Sequence, residues 1–198
     1  MHQPHRQVHR IFYAVTFPRS VEEQIVDLID QLRNEDDGAV RWTLAENLHM
    51  TLRFLGEVPT DIFKDARRMV SETPLPFPST LRFGGINAFP SLRRPSVIVL
   101  DLEGKEEEDR KNLAALQSTT EKFARDLGLA PERREFHPHL TIGRVRRDRR
   151  ISPGLRTALE SIPVELPEVG VNHLILMESI LSREGATYRV VEKTLLSL

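Results

Sequence analysis

The stretch Leu48-His49-Met50-Thr51-Leu52-Arg53-Phe54-Leu55-Gly56 carries a phrase that returns later in the chain as His139-Leu140-Thr141-Ile142. In each phrase a His and a Thr stand one residue apart, with apolar residues beside them. Because side chains i and i+2 of a β-strand point to the same face, each phrase presents an imidazole and a hydroxyl together. The two phrases are ninety residues apart (139 − 49). This spacing indicates an internal duplication of one unit.

Helical and strand patterns alternate in both halves, which predicts the α+β class. We expect residues 1–10 to form a disordered tail and residues 11–198 to form a single domain. Ser20 is predicted to cap the first helix, and Gly128 to end the third. A hairpin is expected at residues 183–185. The predicted strands are 11–17, 40–44, 48–55, 80–89, 97–102, 137–145, 171–182 and 187–195, and the helices are 21–33, one from 59, 107–127 and 155–162.

The composition limits the function classes. The chain has 198 residues, a formal net charge of −1 and no Cys, so disulfides, thiol catalysis and Cys-based zinc sites are excluded. The absence of Cys and of a secretory leader suits a cytoplasmic protein, and no apolar run is long enough to span a membrane. Bulk charge does not favour coating of a polyanion, but Arg144, Arg147 and Arg150 form a basic run directly after the second phrase.

The residue types predict acid–base chemistry on a phosphodiester. One neutral imidazole can accept a proton while a protonated partner donates one, and Thr51 and Thr141 can donate hydrogen bonds to phosphoryl oxygens. In the first strand, alternation places Arg53 on the same face as His49 and Thr51, where it either binds phosphate or forms a structural ion pair. The apolar face would carry Leu52 and Phe54.

In the second strand, alternation places His137, His139 and Thr141 on one face and Arg144 on the other. A bulge at Gly143 would turn Arg144 towards the phosphate, and a guanidinium suits two phosphate oxygens. His137 is expected to support His139 rather than to act directly.

A zinc site made by His49, His137 and His139 is the rival interpretation. Thr is a poor zinc ligand, however, and no carboxylate accompanies the three histidines. We therefore expect neither a metal nor a cofactor.

The motif regions resemble a known family. Residues 41–58 and 136–145 resemble the two motif regions of the RNA 2′,3′-cyclic phosphodiesterases, also called 2′-5′ RNA ligases, of the two-histidine phosphoesterase superfamily. Residues 10–15, Phe89-Pro90-Ser91, Glu178-Ser179 and Tyr188 extend the resemblance over nearly the whole chain. Val99 departs from it, because many relatives carry Trp there.

The resemblance implies two pseudo-symmetric lobes, each an antiparallel sheet with helices on its outer face, around a central cleft. It implies opening of a terminal RNA 2′,3′-cyclic phosphate to a 2′-phosphate without metal or ATP, and reversible 2′-5′ joining. Within it, His49 is the proton donor and His139 the acceptor.

We therefore predict a cyclic phosphodiesterase that acts on RNA 3′ ends, with Thr51, Thr141, Arg144 and Arg53 as phosphate-binding candidates. No obligate protein partner is evident. The alternatives are a phosphodiesterase acting on a small cyclic nucleotide or a 2′-5′ oligonucleotide, and a non-catalytic module that binds RNA ends.

Overall fold

The computed structural model describes residues 7–73, 75, 78–182 and 186–196. The predicted hairpin at residues 183–185, and His2 and His5 of the expected tail, lie outside these residues. The strands are Val8–Val15 (β1), Val40–Trp42 (β2), Met50–Pro59 (β3), Ser79–Phe89 (β4), Val97–Gly104 (β5), His139–Val145 (β6), Val169–Val171 (β7), His173–Leu181 (β8) and Ala186–Leu195 (β9). The α-helices are Arg19–Arg33 (α1), Thr60–Glu72 (α2), Glu107–Asp126 (α3) and Pro153–Ser161 (α4), with a short 3₁₀ helix at Ala45–Asn47.

One antiparallel sheet runs through the molecule and shows the expected two-fold pattern. Its order is β7-β4-β5-β6-β3-β1-β8-β9, with β2 beside β6. Read outwards from the middle, β3 corresponds to β6, β1 to β5, β8 to β4 and β9 to β7. Strands β3 and β6, at the centre of the sheet, are joined by the pairing of Met50 with Leu140. The predicted α+β fold with two related lobes is confirmed.

The helices cover the face of the sheet that is opposite the His and Thr side chains of the two phrases. α2 packs on β1, β3, β8 and β9, whereas α3 packs on β3, β4 and β5. Tyr13 of β1 lies in this interface, where its ring meets Phe123 of α3 at 5.7 Å and its hydroxyl donates to the Ala66 carbonyl. None of the helices among the described residues is long and apolar enough to cross a membrane.

The ends of two helices test the capping predictions. α3 ends as predicted, with Gly128 at φ +76° and the N–H of Leu129 bonded to the Ala124 carbonyl at 2.9 Å. The predicted Ser20 cap is wrong. α1 begins at Arg19, because the Pro18 carbonyl already accepts from the N–H groups of Val21 and Glu22, at 2.9 and 3.0 Å, which puts Ser20 inside the first turn.

The boundary of the expected tail also needs correction. β1 begins at Val8, so Val8, His9 and Arg10 belong to the sheet. His9 is buried, stacks on Phe63 with a ring separation of 4.1 Å, and binds the Glu178 carboxylate through Nδ1 at 2.7 Å. A side chain with these partners is fixed by the fold, which the local sequence alone does not reveal.

Candidate active site

The register of the two central strands assembles the His and Thr side chains. Met50 of β3 pairs with Leu140 of β6, and both are fully buried on the helix side. In an antiparallel pair the sum of the opposed residue numbers is constant, so this register sets His49 opposite Thr141 and Thr51 opposite His139. The four polar side chains point away from the core and form one alternating group.

A bulge follows the Thr in both strands. In β3, Thr51 pairs with Ala14 and Arg53 with Tyr13, so Leu52 is the extra residue. In β6, Thr141 pairs with Val99 and Gly143 with Ile98, so Ile142 is the extra residue. Each bulge reverses the alternation beyond it, because one added residue changes which side chains face the cleft.

The bulge in β6 has the effect expected of it, although it lies one residue before Gly143. Arg144 is exposed and lines the cleft beside His139 and Thr141. Gly143 faces the opposite side, where a Cβ atom would stand 2.7 Å from the Val40 side chain. The close approach of β2 therefore requires glycine at this position.

The bulge in β3 removes Arg53 from the site. Arg53 is only 8% exposed and forms an ion pair with Glu121 of α3, with 2.6 Å between Arg53 Nε and Glu121 Oε2. Its guanidinium also donates to the carbonyls of Phe54 and Ala130. The expectation that Arg53 faces the phosphate is therefore wrong, and the structural ion pair is the interpretation that holds. Phe54 takes its place in the cleft, where it is 48% exposed.

Both histidines are oriented by the same hydrogen bond. His49 Nδ1 lies 2.6 Å from the Asn47 carbonyl oxygen, and His139 Nδ1 lies 2.6 Å from that of His137. A carbonyl oxygen can only accept, so Nδ1 carries the proton in each ring and Nε2 is left for a ligand. His137 is exposed and supports His139 through its main chain.

The surroundings of the two rings differ. The His49 ring packs against Phe12 at 5.0 Å and against Tyr188 at 4.9 Å, above a small apolar cluster of β1 and β8. The His139 ring contacts Phe89 edge-on, with 5.3 Å between the ring centres. Burial lowers the pKa of His49 to about 4; the hydrogen bond to Asn47 opposes this, and the charge of Arg144 reinforces it. His49 is therefore neutral in the empty site at neutral pH.

The cleft has one polar and one apolar wall. Its volume is about 590 Å³, which suits a single nucleotide. The polar wall is formed by Arg41, His49, Thr51, His139, Thr141 and Arg144, and the apolar wall by Leu44, Phe54, Leu181 and Tyr188. Across the described residues, no group of three or more His, Asp or Glu side chains is placed to hold a metal ion.

Comparisons with known proteins agree with this geometry. Residues 17–180 match the family model of the 2′-5′ RNA ligase superfamily. The chain belongs to this superfamily.

Two relatives named RNA 2′,3′-cyclic phosphodiesterase support the same grouping. The protein from Aeropyrum pernix is 33% identical over 147 residues, which cover 74% of this chain and 80% of that one. The protein from Archaeoglobus fulgidus is 32% identical, with coverage of 91% and 96%. Among solved structures, Escherichia coli LigT complexed with 3′-AMP has a TM-score of 0.74 at 26% identity and covers 97% of this chain and 100% of its own. The expected family is confirmed.

The pattern of the sequence did not predict a role in the cleft for several residues that the structure places there. Arg41 and Phe54 line the cleft, the Asn47 carbonyl fixes the His49 ring, and Tyr188 packs on that ring. Strand alternation places Phe54 on the wrong face, and no local pattern reveals the bulge that corrects it. Tyr188 was marked only by the family resemblance.

Proposed function

We propose that this protein opens the 2′,3′-cyclic phosphate at an RNA 3′ end to a 2′-phosphomonoester, with no metal ion. The observation that carries the proposal is the alternating group of His49, Thr141, Thr51 and His139 on one cleft. Its two free Nε2 atoms and two hydroxyls match the needs of proton transfer on a phosphodiester. The names of the two relatives support the same reaction.

Each group has a defined part in the reaction. His139 Nε2 takes a proton from water as the water oxygen bonds to phosphorus, and the bond between phosphorus and the 3′ oxygen breaks. His49, protonated on Nε2, gives its proton to that leaving oxygen. Thr51 and Thr141 donate hydrogen bonds to the non-bridging oxygens, where Arg144 balances the developing charge.

The same site can join RNA ends. If the 5′ hydroxyl of a second RNA takes the place of water, the bond from phosphorus to the 3′ oxygen breaks in the same way. The product is then a 2′-5′ phosphodiester, and the reaction is reversible because no high-energy cofactor enters it.

The apolar wall fits the nucleoside part of such a substrate. Phe54 and Leu181 are 48% and 61% exposed, although both are large apolar side chains. Aromatic and apolar faces bind unstacked bases by stacking, with little dependence on sequence. We expect a terminal nucleoside to lie against this wall while its phosphate meets the polar one.

The test is turnover of an RNA oligomer that ends in 2′,3′-cyclic phosphate, in the presence of EDTA. The 2′- and 3′-phosphate products have the same mass, so chromatographic comparison with authentic standards identifies which one forms. His49→Ala and His139→Ala should each lower kcat by about 10²–10⁴-fold, the usual contribution of a general acid or base. Arg156→Gln changes an exposed residue outside the cleft and should retain full activity.

The same panel separates the alternatives. If a 3′,5′-cyclic nucleotide or a 2′-5′ oligonucleotide is turned over faster than the RNA with a 2′,3′-cyclic phosphate end, that compound is the better candidate substrate. Tight binding of the RNA end without turnover would make the protein a binding module.

The order of the two histidines needs a separate substrate. In a cyclic phosphate with sulfur in place of the bridging 3′ oxygen, the leaving thiolate needs no proton. His49→Ala should recover activity on this substrate, whereas His139→Ala should not. Recovery of the His139 variant alone would reverse the assignment.

A further inference from the structure

A second cavity adjoins the catalytic cleft. It has a volume of about 670 Å³ and lies between β2 and the loop that follows β6. Arg41 and Arg144 line both cavities, so the two spaces meet at these side chains. We call this second cavity the arginine groove; its lining contains five arginines, Arg41, Arg144, Arg146, Arg147 and Arg149, and one acidic residue, Asp148.

The arginines of the arginine groove outnumber its acidic residue, Asp148, by five to one. Arg41 and Arg144 are directly opposed on neighbouring strands, an arrangement that is unfavourable for like charges. Over the parts of the chain with described structure, neither of them has a carboxylate within ion-pair distance, and the same holds for Arg147 and Arg149. A bound anion would relieve this repulsion.

The groove is held by backbone contacts rather than by ion pairs. The Arg146 N–H donates to the Ala39 carbonyl at 2.8 Å, and its Nε donates to the Gly38 carbonyl at 3.1 Å. The Arg149 N–H then bonds to the Arg146 carbonyl at 3.1 Å and closes a turn. Arg146 thus stabilises the loop through its hydrogen bonds, while Arg147 and Arg149 are exposed on the turn and available to a ligand.

We propose that the arginine groove binds the backbone phosphates of the RNA immediately upstream of the reacting 3′ end. This inference rests on the proposed function and makes its substrate class a polynucleotide rather than a cyclic mononucleotide. The catalytic cleft has room for one nucleotide, so the preceding chain must leave it. Past Arg41 and Arg144 the cleft continues into the arginine groove, which offers guanidinium groups to successive phosphates.

The test compares two substrates that share the reacting group. One is a 2′,3′-cyclic mononucleotide, and the other is a tetranucleotide ending in the same cyclic phosphate. The variant Arg147→Gln/Arg149→Gln should lower kcat/KM for the tetranucleotide by about tenfold for each lost charge-assisted contact, and should leave the mononucleotide unchanged. Arg156→Gln on α4, which removes an exposed arginine outside the groove, is the matched control.

Two further measurements identify the phosphates as the ligand. The slope of log(kcat/KM) for the tetranucleotide against log salt should become shallower by about 0.7 for each phosphate contact removed. In a second measurement, the two linkages of the tetranucleotide nearest the 3′ end are replaced with uncharged methylphosphonates on 2′-O-methyl nucleotides. This change should lower kcat/KM of the wild-type protein as much as the double substitution lowers it for the unmodified tetranucleotide. The methylphosphonates should not lower kcat/KM of the double variant further.

The outcomes separate this proposal from the proposed function. Equal effects of the double substitution on both substrates, or no effect on either, would overturn the role of the groove and leave the phosphodiesterase activity intact. If neither substrate turns over, fluorescence anisotropy with a labelled tetranucleotide decides the matter. Weaker binding by the double variant would support phosphate binding in the arginine groove, although the proposed phosphodiesterase activity has failed. Unchanged binding would reject both proposals.

Discussion

The structure predicts how much free energy is needed to protonate His49. Burial holds the pKa at about 4 against an ordinary value of 6.5. At roughly 1.36 kcal/mol per pKa unit, the difference of 6.5 − 4 makes protonation in the empty cleft about 3 kcal/mol less favourable than in water. A proton donor must therefore be created when the substrate binds.

The phosphate of the substrate can supply this energy. A unit negative charge about 4 Å from the imidazolium, at an effective dielectric constant of about 20, contributes about 4 kcal/mol. This gain is similar to the loss from burial, so we expect inorganic phosphate to raise the pKa of His49 from about 4 to near 7. The measurement is a pH titration of ¹³C-labelled histidine by NMR, with and without saturating phosphate, in which His49→Gln assigns the signal.

The variant Arg144→Met tests the electrostatic part of this reasoning. The charge of Arg144 lowers the pKa of His49, so its removal should raise the pKa in phosphate-free protein, whereas Arg156→Met should not change it. A His49 that titrates above about 6 before phosphate is added, or a pKa that phosphate does not move, would refute the derivation.

Three other predictions follow from buried and exposed side chains. Arg53→Met should lower the free energy of unfolding in urea by about 3 kcal/mol, because it leaves the Glu121 carboxylate unpaired, while cyclic-phosphate turnover by the folded fraction stays near normal. Burial also holds the pKa of His173 at about 4, so the unfolded chain takes up more protons than the folded protein between pH 6.5 and 4. The free energy of unfolding should therefore decrease as the pH is lowered through that window, by up to about 1.4 kcal/mol per pH unit for each such His. His173→Gln should make this dependence on pH less steep. Phe54→Ala should weaken binding of the cyclic mononucleotide by about 1–3 kcal/mol of stacking energy, which raises KM by about 5- to 150-fold; an unchanged KM would show that no base lies on this ring.

The sequence predicted the elements better than their edges. Hydrophobic periodicity located α1 through Val21, Ile25 and Leu28, because a buried helical stripe leaves a repeated mark on the chain. It did not locate the start of β1. Three histidines near the N-terminus suggest a polar tail, but His9 is buried by Phe63 and Glu178, partners that are distant in the sequence.

The candidate site was predictable up to the second residue after each His. The spacing of His49 and Thr51 specifies a shared face, and the pairing of Met50 with Leu140 agrees with it. Beyond Thr51, alternation fails, because the bulge depends on how β3 pairs with β1 and not on any residue of β3 alone. Arg53 was consequently placed on the wrong face, whereas Gly143 gave a visible sign of irregularity in the second strand.

The two bulges also explain how a repeated motif produces unequal histidines. They occur at the same position of both repeats, Leu52 and Ile142, and each brings the residue two places later into the cleft. In the first lobe that residue is Phe54, which adds to an apolar surround for His49; in the second it is Arg144, which adds positive charge. Both changes disfavour a proton on His49 in the empty cleft, and a bound anion would offset them. The sequence difference between the lobes thus ties the protonation of His49 to occupancy of the site by phosphate.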